Sequence, residues 1–143
     1  MIPSRQASNS PTFAIEIHQL TRLFGEITAV DHLDLRVDYG KIFGLLGPNG
    51  AGKSTTIKML TTILPPSSGT ALVGGFDILR EPATVRRTIG YVPQLLSADS
   101  ALTGYENLML SAKLYAMPKE ERALRIDDVL ALMGLTDSAR KLV

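Results

Sequence analysis

Gly47-Pro48-Asn49-Gly50-Ala51-Gly52-Lys53-Ser54-Thr55 fits the pattern G-x-x-x-x-G-K-[ST], a phosphate-binding loop of the Walker A type. Small residues suit such a loop because several backbone N–H groups must turn inward around phosphate oxygens. Side chains at Gly50 or Gly52 would block that approach or forbid the backbone angles. Lys53 is placed to reach the β- and γ-phosphates of a nucleotide as a point charge, and the Ser54 hydroxyl to ligate Mg²⁺. A helix opening near Lys53 would aim the positive end of its dipole at the same anion. The competing reading is a glycine-rich turn that binds nothing. At ordinary residue usage, however, only about one chain in two hundred of this length carries the pattern by chance. Context weakens the bland reading further. Lys41-Ile42-Phe43-Gly44-Leu45-Leu46 is a short apolar run suited to a buried strand, which supplies the required order of strand, loop and helix.

Upstream, Phe13-Ala14-Ile15-Glu16-Ile17-His18 and Leu33-Asp34-Leu35-Arg36-Val37 alternate with period two, and Ile27 to Val30 suits another short strand. These segments predict an antiparallel β subdomain ahead of the loop. Downstream, Thr55, Thr56, Ile57, Thr61, Thr62 and Ile63 are β-branched, so the helix after Lys53 has poor intrinsic propensity. Ile57, Leu60 and Leu64 give it an apolar stripe, and Leu64-Pro65-Pro66-Ser67-Ser68-Gly69 should stop it. Thr70 to Val73 reads as a strand, Pro82 opens a short helix through Arg87, and Thr88 to Val92 reads as a strand ending at Pro93-Gln94. Thr103-Gly104-Tyr105-Glu106 is a capping box, with Tyr105, Leu108, Ala112 and Tyr115 following at helical spacing. Pro118 opens a second helix whose face is Ala123, Ile126, Leu130 and Met133, with Gly134 as its C-terminal cap. Tyr105 and Tyr115 read as core, Glu106 as a cap rather than an acid catalyst, and Lys119-Glu120-Glu121-Arg122 as a solvated first turn.

The 143 residues suffice for one ordinary domain, and 45% hydrophobic with 20% charged residues is a globular balance. A net charge of +1 makes no bulk electrostatic case for a nucleic-acid partner, and none is expected. No apolar run approaches the ~20 residues of a membrane-spanning helix, so membrane association would come through a partner. Without Cys, disulfides and thiolate metal sites are excluded, which fits the cytosol. Residues 1–12 are polar, lack a secretory core and read as a flexible tail.

The neighbours of the loop resemble one family: the ATP-binding subunits of ABC transporters. Phe24-Gly25 lies 23 residues before Gly47, where that family carries an aromatic that stacks on adenine. Tyr91-Val92-Pro93-Gln94 resembles its Q-loop, whose Gln touches Mg²⁺ and the attacking water and lies against the transmembrane partner. The likeness runs from about Phe13 to Val143. Ile89 to Gln94 and Leu102-Thr103-Gly104-Tyr105-Glu106-Asn107-Leu108 look most like drug- and antibiotic-efflux members. The resemblance implies an α/β P-loop NTPase fold, with the antiparallel β subdomain followed by the phosphate-loop strand and helix and the start of a helical subdomain. It implies ATP and Mg²⁺ as ligands, with Phe24 and Gly47 through Thr55 holding nucleotide and Ser54 and Gln94 holding the metal. It also implies a transmembrane permease subunit, a second nucleotide-binding subunit, and a cytoplasmic site peripheral to the membrane. In the complete protein, ATP hydrolysis would power export.

The departures bear on catalysis. The family's LSGGQ signature, its Walker B strand with Asp and catalytic Glu, and its switch His do not occur, so residues 13–143 read as the N-terminal portion of a nucleotide-binding domain. No general base is expected within the chain, and Gln94 is the one candidate for a water or γ-phosphate contact. Rival readings are a non-transport ABC protein, a truncated nucleotide binder without activity, and an unrelated P-loop enzyme. A GTPase should carry N-K-x-D, and no Asn-Lys pair occurs.

Overall fold

Two long strands pair first. In the computed structural model, which describes residues 13–93 and 98–143, β1 (Phe13–Phe24) and β2 (Ile27–Asp38) form a hairpin about Gly25-Glu26. β3 (Ser68–Val73) pairs with the other edge of β1, and β4 (Phe76–Asp77) returns along β3. The order is β2-β1-β3-β4, antiparallel throughout, as the alternating pattern predicts. The short strands read from the sequence merge into longer ones because bulges interrupt their alternation. Gln19 (φ 48°) and His32 (φ 42°) take left-handed backbone, and the pairing register shifts between Ile17 and Leu20. The buried Thr21 Oγ1 accepts the His32 N–H at 3.0 Å, and Asp34 Oδ1 accepts the Gln19 N–H at 2.9 Å, so the distorted backbone is satisfied.

The helix after the phosphate loop, α1 (Lys53–Leu60), is shorter than expected. It closes through a Schellman pair: Thr62 N–H to Met59 O at 3.0 Å and Ile63 N–H to Lys58 O at 2.9 Å, with Thr62 at φ 62°. The turn residues Pro65-Pro66 lie beyond an end already made. Its apolar stripe is also rotated from the expected one. Thr56, Met59 and Leu60 are buried while Ile57 is 39% exposed, because docking on the sheet selects the face. Met59 and Leu60 join Ile17, Leu20, Ala71 and Val85 in one core, where each large side chain contributes about 1.5–3 kcal/mol. α2 (Pro82–Thr88) begins with its proline, as predicted, and buries Val85.

Two expected strands are absent among the described residues. Lys41–Leu46 forms no ladder, Ile42 is fully exposed and Leu46 is 92% exposed. Thr88–Val92 forms none either: Thr88 closes α2 and Ile89 merely continues in extended backbone. Apolar composition makes a strand only where another segment pairs with it, and among the described residues neither segment pairs with β2 or β4, the two edges of the sheet.

The chain divides into two units, Met1–Tyr91 and Val92–Val143. In the second, α3 (Gly104–Leu114) carries the predicted capping box: Glu106 N–H to Thr103 Oγ1 at 3.2 Å and Thr103 N–H to Glu106 Oε2 at 2.8 Å. Two bonds that the carboxylate accepts from Thr103, first from its N–H and then from its hydroxyl at 2.8 Å, hold the Glu106 carboxyl below its ordinary range. α4 (Lys119–Leu132) follows Pro118 and ends on Gly134 at φ 67°, as expected. Ile126 and Leu130 are buried, but Ala123 and Met133 are exposed, so its buried stripe is narrower than predicted. Tyr105 is half-buried, whereas Tyr115 is 74% exposed and not core, since α3 has already ended in a turn before it.

Candidate nucleotide-binding site

Backbone shape comes first. Gly50 (φ 85°) and Gly52 (φ 80°) hold left-handed conformations that L side chains rarely adopt. Gly52 has a second constraint. A Cβ there would meet Ala29 O at 2.3 Å and Val30 Cγ2 at 3.0 Å, so β2 presses directly against the loop. At Gly50 a Cβ would meet nothing within 4 Å, so only its dihedral requires glycine. The loop closes on itself by Ala51 N–H to Pro48 O at 3.2 Å, with Asn49 at the exposed tip.

Lys53 folds back over this turn. Its Nζ donates to Gly47 O at 2.6 Å and Pro48 O at 2.7 Å. An ammonium has three protons, so one donor remains for an anion above the loop. The first α1 bond runs from Thr56 N–H to Gly52 O at 2.8 Å, and the Thr56 hydroxyl bonds the same carbonyl at 3.0 Å. Gly52 as N-cap brings no side-chain acceptor, so among the described residues the N–H groups of Lys53, Ser54 and Thr55 meet none. These are the donors a phosphate needs. The phosphate-loop residues expected to bind nucleotide, Gly47 through Thr55, run from this turn into the first turn of α1.

Ser54 is exposed on the first turn of α1, its hydroxyl free of protein acceptors among the described residues. No group of three or more His, Cys, Asp or Glu among those residues could hold a metal. A single exposed hydroxyl beside the loop suits Mg²⁺, which is commonly held by few protein ligands together with phosphate oxygens and water. Gln94, the other expected metal ligand, lies outside the described residues.

Phe24 ends β1 and pairs with Ile27, which is only two residues along β2 from Ala29. At ~3.4 Å per residue, the ring's strand position is about 7 Å along the ladder from the backbone that touches Gly52. Sequence spacing alone could not show this proximity. The ring is 45% exposed, and Arg22 Cζ lies over it at 4.7 Å from the centroid. Arg22 is not singled out in the sequence reading. Its position two residues earlier in one strand was the available signal.

A glycine-shaped turn, a lysine folded over it and a helix opening beneath define a P-loop nucleotide-binding protein. The chain belongs to the ABC transporter family, whose model matches residues 30–143. It is 44% identical over 136 residues to the daunorubicin/doxorubicin resistance ATP-binding protein DrrA of Streptomyces peucetius, covering 95% of this chain and 41% of that one. It is 40% identical over 126 residues to the linearmycin resistance ATP-binding protein LnrL of Bacillus subtilis, covering 88% of this chain and 40% of the relative. The chain thus spans about two fifths of the length of these curated relatives. Among solved structures, an ATP-binding subunit of an ABC transporter superposes with a TM-score of 0.76 at 29% identity, covering 90% of this chain and 54% of that one. The ATP-binding cassette MJ0796, in a dimeric post-hydrolysis state bound to ADP and Pi, gives 0.77 at 26% identity, covering 90% and 61%. The fold is therefore the α/β P-loop fold of ABC ATPases. No helix among the described residues is long and apolar enough to cross a membrane.

Proposed function

We propose that this chain binds Mg-ATP, with Gly47 through Thr55 around the phosphates, Lys53 on the β- and γ-oxygens, Ser54 and Gln94 as metal ligands and Phe24 stacked on the base. The observation carrying this reading is the Lys53 ammonium held by two loop carbonyls directly beside the unpartnered N–H groups that open α1. Mg²⁺, when bound, neutralises charge on the phosphates. The chain's own residues bind and orient. Lys53 adds one charge-assisted bond, the loop N–H groups add several, and Phe24 would set the base end of the ligand.

In the complete protein, ATP hydrolysis would drive export across a membrane through a separate permease subunit, with a second nucleotide-binding subunit facing this one. That places the chain at the cytoplasmic face, held to the membrane by its partner. The resistance functions named for DrrA and LnrL support a drug or antibiotic as cargo. Lys53→Ala tests the core of the proposal. Losing a charge-assisted contact of about 1.5–3 kcal/mol should weaken Mg-ATP binding about ten- to a hundredfold without unfolding the chain. An unchanged dissociation constant by calorimetric titration would remove the phosphate-loop assignment.

A further inference from the structure

We infer that Arg22 is a positioning residue of the nucleotide site, backing the Phe24 ring so that its opposite face is presented to a base. The inference rests on the proposed base-stacking role of Phe24. The guanidinium lies 4.7 Å from the ring centroid, within range of a cation–π contact. It is anchored from the other side by Nη1 donating to Pro65 O at 2.8 Å, on the segment that follows α1. Its Nε is shut away from solvent and meets no acceptor among the described residues. A buried guanidinium nitrogen without a partner is costly, so packing against the ring, rather than a full hydrogen-bond set, decides where this side chain sits.

The placement links the two ends of the ligand site. Arg22 pairs across the ladder with Val30, and Val30 Cγ2 is one of the atoms crowding Gly52. Arg22 therefore stands between the strand that shapes the phosphate loop and the ring that would hold the base. The guanidinium lies over one face of Phe24, and the residue nonetheless stays 45% exposed. A ring fixed on one side loses little freedom when a base stacks on the other, which is how preorganisation raises affinity. A positive charge behind the ring also draws its π-density away from the open face, which favours an electron-rich purine there.

The test uses the 143-residue chain and two ligands with Mg²⁺, ATP and inorganic tripolyphosphate, which lacks a base. Arg22→Met should weaken ATP about three- to fivefold and leave tripolyphosphate within about twofold. Arg22→Lys, which keeps the charge, should recover part of the loss, and Arg22→Gln, which keeps a donor for Pro65 without charge, should not. In a Phe24→Ala background the Arg22→Met effect on ATP should vanish. Far-UV circular dichroism confirms folding, and the Lys and Gln variants carry the comparison if Met does not fold. Equal weakening of both ligands would overturn the inference, because Arg22 would then act on the loop in general. If Phe24→Ala weakens ATP but Arg22 variants do not, the inference fails and base stacking stands. If Phe24→Ala leaves ATP binding unchanged, base stacking itself fails.

Discussion

Gly50 and Gly52 sit two residues apart at nearly the same φ, 85° and 80°, yet only Gly52 is walled in by backbone. A methyl at Gly50 adds dihedral strain of about 1–2 kcal/mol. A methyl at Gly52 adds the same strain and must also displace Ala29 O, which would lie 2.3 Å away. Gly52→Ala should therefore lower the melting temperature clearly more than Gly50→Ala, and should separate β2 from the loop. Thermal melts of both variants, followed by ATP titration, check the order; equal destabilisation would mean that the Ala29 contact is immaterial. Gly52 was legible as required from the motif itself, and Gly50, at one of its unspecified positions, from the need for backbone to approach the phosphates. The reason that Gly52 is the stricter position was not, since Ala29 is 23 residues earlier in the chain.

Elements show a similar division between local chemistry and packing. The capping box of α3 was readable from Thr103 and Glu106 because both partners lie within four residues, and it forms as written. Its pH response follows. The Glu106 carboxyl is held below its ordinary range by bonds to Thr103, so its contribution is fully present above the unfolded-state pKa. It is lost as pH falls through the lowered folded-state value. Acidification from neutral pH should erode α3, and Glu106→Gln should remove that part of the response while lowering stability at neutral pH. Circular dichroism against pH for both proteins reads this directly; identical acid profiles would show that the cap carries no linked proton. The end of α1 was harder to read. Thr62, a β-branched residue, takes the left-handed position usually given to glycine. No local preference announces it.

At the scale of the whole molecule, the proposed function gives these residues the groups that hold a nucleotide and no general base. Phosphoryl transfer needs a group that orients the attacking water and charge stabilisation on both sides of the γ-phosphate. A positioned base alone typically contributes about 10²–10⁴ in rate. The 143-residue chain should therefore bind Mg-ATP yet release phosphate far below ~1 s⁻¹, in the low range for enzymes. Steady-state phosphate release from monodisperse protein, with Lys53→Ala as the contamination control, measures this. Lys53-dependent turnover near that rate would show that catalytic groups lie within residues 1–143.

What the amino-acid sequence determined by itself is whatever depends on a few consecutive residues: the phosphate loop, the capping box, the proline start of α2 and the glycine end of α4. Backbone dihedrals and short-range hydrogen bonds decide those, and both are written locally. Tertiary structure decided which apolar segments became strands and which face of α1 was buried. It also decided that Phe24 lies beside the loop with Arg22 behind it. Lys41–Leu46 has strand composition but no ladder among the described residues, because a strand is a relation between segments. Likewise Arg22 and Pro65 are 43 residues apart, and only the fold brings them to 2.8 Å.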